Sequence, residues 1–207
     1  MTAVTRAQLL SRGLRLEYLT VGWNIVEGLV AITAALAAGS VALMGFGIDS
    51  FVESASGSIL TWRLLAERRA TGEERIEQVE RRAQLLVASS LVLLAGYIAF
   101  ESVTSLLAGE RPQPSLVGIG LALASLSVMW WLARQKRRVG VALGSRAMTA
   151  DAFQTDACFW LSLFLLVGIG ANVLFGFWWA DPAAALGMTV FILREAREAW
   201  ASDKDDD

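Results

Sequence analysis

Six apolar stretches occupy most of this chain, and each is long enough to cross a lipid bilayer. A hydrocarbon core about 30 Å thick is crossed by roughly 20 apolar residues in a helix. The stretches cover residues 16–37, 41–65, 85–107, 116–133, 141–174 and 182–200. With 55% hydrophobic and 18% charged residues, the chain has more apolar side chain than a water-soluble core of 207 residues uses. The sequence therefore predicts an all-α integral membrane fold with six transmembrane helices.

The ends of the chain are polar by comparison. We expect one membrane domain over residues 1–202, followed by an acidic tail at 203–207 that is too short to fold. The first residues are basic and only weakly apolar, without the pattern of a secretory signal peptide. The sequence thus predicts a multi-pass protein of the cell membrane, plasma or inner, that begins with a cytoplasmic segment.

Basic residues are concentrated in alternate connections of the predicted helices, which lie on the same side of the membrane. They precede the first stretch, and they fall between the second and third and between the fourth and fifth. They are Arg6, Arg12 and Arg15; Arg63, Arg68, Arg69, Arg75, Arg81 and Arg82; and Arg134, Lys136, Arg137, Arg138 and Arg146. The opposite connections contain one basic residue, Arg111. Because cytoplasmic loops are enriched in arginine and lysine, both termini are predicted to be cytoplasmic.

Composition excludes several classes of function. A formal net charge of −2 and scattered arginines do not favour nucleic-acid binding. The chain has no histidine and one cysteine, Cys158, which excludes Ser/His and Cys/His catalytic pairs and an intrachain disulfide. It also lacks a phosphate-binding glycine loop. We therefore expect neither an enzyme nor an organic cofactor, and any metal or proton chemistry must use carboxylates, amides and one thiol.

Two acids interrupt the second stretch, in the segment GIDSFVESASG at residues 47–57. Asp49 lies about ten residues into the helix, near mid-membrane, and Glu53 follows one turn later on the same face. A charged acid at the bilayer centre costs about 2.5 to 3.5 kcal/mol on insertion scales, so such acids generally have a function. The alternative is that the two acids only hydrogen-bond neighbouring helices together.

The fifth stretch carries a matching polar face in MTADAFQTDACFW. At about 100° per residue, Asp151, Gln154 and Cys158 fall close to one line with Thr155, whereas Asp156 points away. Carboxylate, amide and thiol ligands together suit a divalent metal of borderline softness, such as Zn²⁺. A metal site formed by Asp49, Glu53, Asp151, Gln154 and Cys158 is therefore predicted. A lone cysteine is also often only a small buried apolar residue.

The first stretch adds a further acid at mid-span. Glu27 lies one turn from Asn24 on the same helical face. The pair could support the metal ligands or carry protons, and the alternative is a simple hydrogen bond between helices.

Three segments of the chain resemble a known family. SVALMGFGIDSFVESASG, TADAFQTDAC and WWADPAAALGMTVFILREAREAW are similar to the second, fifth and sixth helices of the cation diffusion facilitators. These are six-helix exporters of divalent metals, and the resemblance implies a homodimer. Asp49 and Glu53 match the acid pair of the family's second helix, while Gln154 and Cys158 stand where its fifth helix carries histidine and aspartate. The family's cytosolic metal-binding domain after the sixth helix has no counterpart in this sequence.

Together these features predict a secondary transporter that exports divalent cations in exchange for protons. Metal binding needs deprotonated ligands, so binding releases protons and protonation releases metal. Zn²⁺ is the expected substrate, with Cd²⁺, Co²⁺, Mn²⁺ and Fe²⁺ as alternatives, and the lipid bilayer is the other partner. The second hypothesis is a transport-inactive membrane interaction or regulatory protein on the same scaffold. A third, export of an organic cation, would need a wider apolar pocket.

Overall fold

A computed structural model describes residues 5–68, 73–109, 111–113 and 115–201. Over these residues it confirms the predicted all-α fold with six helices. They are α1 Arg6–Ala38, α2 Val41–Arg68, α3 Glu73–Ala108, α4 Leu116–Leu143, α5 Arg146–Phe175 and α6 Ala180–Ala201. The predicted tail at 203–207 lies outside the described residues.

The boundary between α4 and α5 differs from the predicted one. We placed the end of the fourth span at residue 133 and the start of the fifth at 141, but α4 continues to Leu143 and α5 begins at Arg146. Gly144 ends α4 with φ of +66°, a left-handed conformation that glycine adopts readily. Ser145 then caps α5, because its hydroxyl accepts a hydrogen bond from the Met148 amide.

The acid at the start of α6 contacts another helix. α6 begins at Ala180, and Asp181 lies in its first turn. The Asp181 carboxylate accepts hydrogen bonds from the Ser40 hydroxyl at 2.5 Å and from the Ala42 amide at 3.3 Å. It therefore satisfies a donor at the start of α2 and ties the two helix ends together.

Length and hydropathy mark several helices as membrane spans. Within the described residues, four segments qualify: Arg6–Ala38, Leu91–Ala108, Leu116–Leu143 and Ala147–Phe175. In α2 the serines and the two acids lower the hydropathy of an otherwise apolar helix. The outward faces carry large apolar side chains, with Leu36, Leu93 and Leu107 exposed by 72%, 75% and 83%. Such faces are suited to lipid.

The helices pack as a bundle in which α1 contacts α2 and α4, while α5 contacts α4 and α6. Helices α1 and α2 approach each other closely at two glycines. A Cβ added at Gly28 would lie 2.7 Å from the Phe51 ring and 3.0 Å from the Gly47 carbonyl oxygen. Small residues permit this approach, as at many helix interfaces in membranes.

Two apolar clusters fill the bundle, and buried polar residues lie between them. One cluster includes Ala35, Leu43, Ile98, Leu165 and Met188. The other includes Leu14, Leu64, Met129, Val139 and Met148. Along α1, α2 and α5 the chain passes from one cluster to the other through a segment of buried acids, hydroxyls and one thiol. The fold thus concentrates the buried polar groups of α1, α2 and α5 in one layer between the two clusters.

Candidate functional site

Three helices each contribute one polar face to this layer. Residues three or four positions apart within each set lie on the same side of their helix. The sets are Glu17, Thr20, Asn24 and Glu27 on α1; Asp49, Ser50, Glu53 and Ser54 on α2; and Asp151, Thr155, Cys158 and Ser162 on α5. All of these side chains are buried.

The Cys158 thiol of α5 contacts both acids of α2. Its Sγ lies 2.8 Å from Glu53 Oε2 and 3.3 Å from Asp49 Oδ2. The three side chains are between 1% and 3% exposed. The structure thus brings together three of the five predicted metal ligands.

The contact of Cys158 with Asp49 and Glu53 can carry more negative charge than the single proton of the thiol can balance. An S–H group has a single proton, so it can donate to only one of the two carboxylates at a time. Two carboxylates one helical turn apart also repel each other when both are charged and removed from water. The cluster of Asp49, Glu53 and Cys158 therefore requires additional protons or a bound cation.

The fourth predicted ligand, Asp151, lies in a neighbouring group centred on Lys136. The Lys136 side chain is fully buried, and its ammonium donates to Asp151 Oδ2, to Glu17 Oε2 at 3.1 Å and to Thr155 Oγ1 at 3.3 Å. All three N–H groups of the ammonium have acceptors. The structure thus engages Asp151 in an ion pair, away from the contact between Cys158 and the two acids.

The Thr155 hydroxyl joins the two groups. Its Oγ1 lies 3.0 Å from Glu53 Oε1, as well as 3.3 Å from Lys136 Nζ. Lys136 is consequently within about 6 Å of the Glu53 carboxylate, a distance at which unit charges interact appreciably inside a protein. The charge state of the cluster of acids and thiol is therefore coupled electrostatically to Lys136.

The two predicted supporting residues on α1 differ in their contacts. Glu27 accepts a hydrogen bond from Trp23 Nε1 at 3.1 Å, and the Ser50 hydroxyl lies 3.1 Å from its other oxygen. Asn24 is fully buried, and neither of its side-chain polar atoms has a hydrogen-bond partner among the described residues.

The remaining two polar residues of α5 lie at the margin of the site or outside it. Gln154 is partly exposed. Asp156 is 35% exposed and forms an ion pair with Arg137, which is 52% exposed. The predicted direction of Asp156, away from the acids of α2, is in agreement with this pair.

The arrangement of two acids on one helix against a polar face of another can be compared with known proteins. The model of the cation efflux transmembrane domain matches residues 18–202 of this chain. The chain belongs to the cation efflux family. This is a family of transporters, not of enzymes, and the match confirms the predicted multi-pass membrane protein.

The family match agrees with the resemblance noted in the second, fifth and sixth helices. A protein of Synechocystis named as an uncharacterized transporter is 28% identical to this cation efflux protein over 158 residues. The aligned part covers 75% of this chain and 51% of the relative, so the chain spans about half the length of the curated relative that it matches.

The sulfur to oxygen distances in this family member can be compared with those of a metal site. Within the described residues no group of three or more acid or thiol side chains is already arranged to hold a metal. A sulfur and an oxygen bound to one tetrahedral Zn²⁺ would lie about 3.6 Å apart. The sulfur to oxygen distances here, 2.8 and 3.3 Å, are shorter by less than an ångström. A Zn²⁺ ion bound by these side chains would require each sulfur to oxygen distance to lengthen by less than an ångström.

Sequence reasoning missed Glu17 and the burial of Lys136. Lys136 stands in the arginine-rich segment that we assigned to a cytoplasmic connection. Its neighbours at −4, −3, +3 and +4 are apolar or small, whereas Arg134, Arg137 and Arg138 lie on the exposed side. That spacing already distinguished Lys136 from the arginines. The polar positions 17, 20, 24 and 27 similarly marked one face of α1.

Proposed function

We propose that this cation efflux protein exports divalent metal cations in exchange for protons, with Asp49, Glu53 and Cys158 as its central ligands. The observation that carries this proposal is the direct contact of the Cys158 thiol with both acids in the middle of the bundle. Gln154 is partly exposed, so we place it at the edge of the same face, peripheral to these ligands. Zn²⁺ is the proposed substrate.

The ligand chemistry supports a borderline or soft divalent ion. Two carboxylates and a thiolate offer three anionic ligands, and thiolate favours Zn²⁺ and Cd²⁺ over harder ions such as Mn²⁺ and Mg²⁺. Burial of this set makes it costly to leave the negative charges without a cation. A divalent ion is therefore a better match for this site than an organic cation.

Proton exchange follows from the same groups. Asp49, Glu53 and Cys158 must lose their protons before they bind a metal, and they must regain protons when the metal leaves. Transport then requires that the site open to each side of the membrane in turn. A proton gradient directed into the cell would favour protonation of the acids from outside and release of the metal there.

In this proposal Asp151 is not a metal ligand, although its spacing along α5 suggested that it was one. Its carboxylate balances the Lys136 ammonium together with Glu17. Because Thr155 connects Lys136 to Glu53, this ion pair fixes the charge next to the site. Asp151 therefore supports the site, through Lys136 and Thr155, without contacting the cation.

The proposal can be tested by metal uptake into proteoliposomes that contain a metal-sensitive dye and a pH-sensitive dye. Wild-type protein should move Zn²⁺ and protons in opposite directions. Asp49→Asn keeps the size of the side chain but removes its negative charge, and it should abolish both signals. Asp156→Asn is the matched control on α5, because its carboxylate pairs with Arg137 outside the site.

Protein level and thermal stability are measured for each variant, so that the variants are compared at equal amounts of folded protein. Transport that survives in Asp49→Asn but is lost in Asp156→Asn would contradict the site. Wild-type protein that binds no metal and moves none would support the second hypothesis, an interaction protein in which the acids and thiol hold helices together.

A further inference from the structure

Asn24 is a buried amide without a hydrogen bond. The side chain is 0% exposed, and both Oδ1 and Nδ2 are without a partner among the described residues. Water or a polar group normally satisfies such an amide, because burial without a partner is costly. The residue is therefore placed to contact something other than the protein itself.

The contacts of α1 with α2 determine which residues of α2 lie opposite Asn24. On one side, the Ser50 hydroxyl lies 3.1 Å from Glu27 Oε2. On the other side, a Cβ at Gly57 would lie 3.3 Å from Glu17 Oε2. The two helices run in opposite directions, and Asn24 stands between Glu17 and Glu27. It thus faces α2 between Gly57 and Ser50, at the level of Glu53.

The neighbours of Asn24 on the same face already have hydrogen bonds. Thr20 donates to the Leu16 carbonyl at 3.0 Å, Glu27 accepts from Trp23, and one oxygen of Glu17 accepts from Lys136. Asn24 is the member of this face whose polar atoms all lack a partner in the described part of the chain. Helix packing alone does not account for an amide at this position.

We infer that Asn24 is a direct ligand of the transported cation, supplied by α1 through its amide oxygen. This inference rests on the proposed function and extends its ligand set from α2 and α5 to α1. A neutral oxygen would complete four ligands with Asp49, Glu53 and Cys158, the number preferred by Zn²⁺. Asn24 is better placed for this than Gln154, because Asn24 is fully buried and Gln154 is partly exposed.

The test uses Asn24→Leu, which has a similar volume and no polar group. The full chain in lipid nanodiscs is titrated with Zn²⁺ by calorimetry, and its unfolding temperature is measured with and without Zn²⁺. The affinity should fall at least about tenfold, and the rise in unfolding temperature caused by Zn²⁺ should shrink. Without metal, the unfolding temperature should stay equal or rise, because an amide with no partner has been removed.

Two further variants separate a ligand from a packing residue. Asn24→Asp supplies an oxygen at the same place and should retain Zn²⁺ binding. Thr20→Val, on the same face, removes a hydroxyl that bonds only its own helix, and it should leave the affinity unchanged. Unchanged affinity in Asn24→Leu, whether or not the protein without metal is destabilised, would overturn the inference.

The same titrations distinguish a failure of the Asn24 assignment from a failure of the proposed function. If Asp49→Asn loses Zn²⁺ binding and Asn24→Leu retains it, only the assignment of Asn24 fails. If wild-type protein binds no Zn²⁺, the proposed function fails with it.

Discussion

Lys136 of α4 and Glu17 of α1 form a fully buried ion pair, with 3.1 Å between Nζ and Oε2. The two residues are 119 positions apart in the chain. Asp151 of α5 completes this group, so that three helices meet at one ammonium. The group adjoins the proposed cation ligands through Thr155, so the charge at the site depends on α4, a helix that contributes no proposed ligand.

Removal of the buried ammonium should be strongly destabilising. Lys136→Met leaves Glu17 and Asp151 without a cation, and breaking a buried pair costs about 3–5 kcal/mol. The double variant Lys136→Met with Asp151→Asn should recover part of that loss, which denaturant unfolding in a double-mutant cycle would measure. Arg137→Met is the control, because its pair with Asp156 is partly exposed and such pairs contribute about 0–1 kcal/mol. Equal effects of the two single variants would contradict the burial of Lys136.

The close approach of α1 and α2 predicts opposite effects for two glycines in α1. Gly28→Ala places a methyl group 2.7 Å from the Phe51 ring, and overpacking of this kind costs about 1–3 kcal/mol. Gly22→Ala meets nothing within 4 Å and should be neutral or stabilising by up to about 1 kcal/mol, since alanine favours helix. Thermal unfolding of both variants in the same lipid would check this. A larger loss in Gly22→Ala would show that the helices are packed differently.

The thiol ligand predicts a change of metal preference. Cys158→Ser replaces a soft ligand with a harder and weaker one, so affinity for Zn²⁺ and Cd²⁺ should fall more than affinity for Mn²⁺. Competition titrations with the three ions give the ratio directly, and Mn²⁺ serves as the internal reference. An equal loss for all three ions would mean that the sulfur only fills space between Asp49 and Glu53.

Cation binding should release protons, and its affinity should therefore rise with pH. The Cys158 thiol lies within hydrogen-bonding distance of Asp49 and Glu53, and these ligands must lose their protons before they bind a metal. Calorimetry in buffers of different ionisation enthalpy reports the number released. Binding enthalpies that are the same in every buffer, at each pH where metal binds, would exclude the proposed exchange.

Membrane orientation can be tested at two exposed positions. In a Cys158→Ser background, a cysteine at Gln113 should react with an impermeant reagent from outside intact cells. A cysteine at Arg138 should react only after permeabilisation, because the arginine-rich ends of the helices are predicted to be cytoplasmic. Both side chains are exposed, so access differs only by the side of the membrane. The reverse pattern would invert the topology.

The sequence by itself determined the six helices and identified the two acids of the proposed site. Length and hydropathy of the apolar stretches depend on local composition, and the spacing of Asp49 and Glu53 places them on one face in any helix. The same reasoning placed Cys158 on a polar face of α5. Because hydropathy marks only the apolar segments, it did not predict that α4 continues beyond residue 133 to Leu143. Lys136 was therefore assigned to a loop.

Only the tertiary structure decided which polar faces meet. Periodicity gives the direction of a side chain around its own helix, but it does not give the height at which two helices cross. Packing of α4 between α1 and α5 brings Lys136 to Asp151, and this draws Asp151 away from the predicted set of ligands. The close contact at Gly28 and Gly47 fixes the register of α1 against α2. These relations join residues far apart in the chain, so they are decided by packing and by the pairing of buried charges.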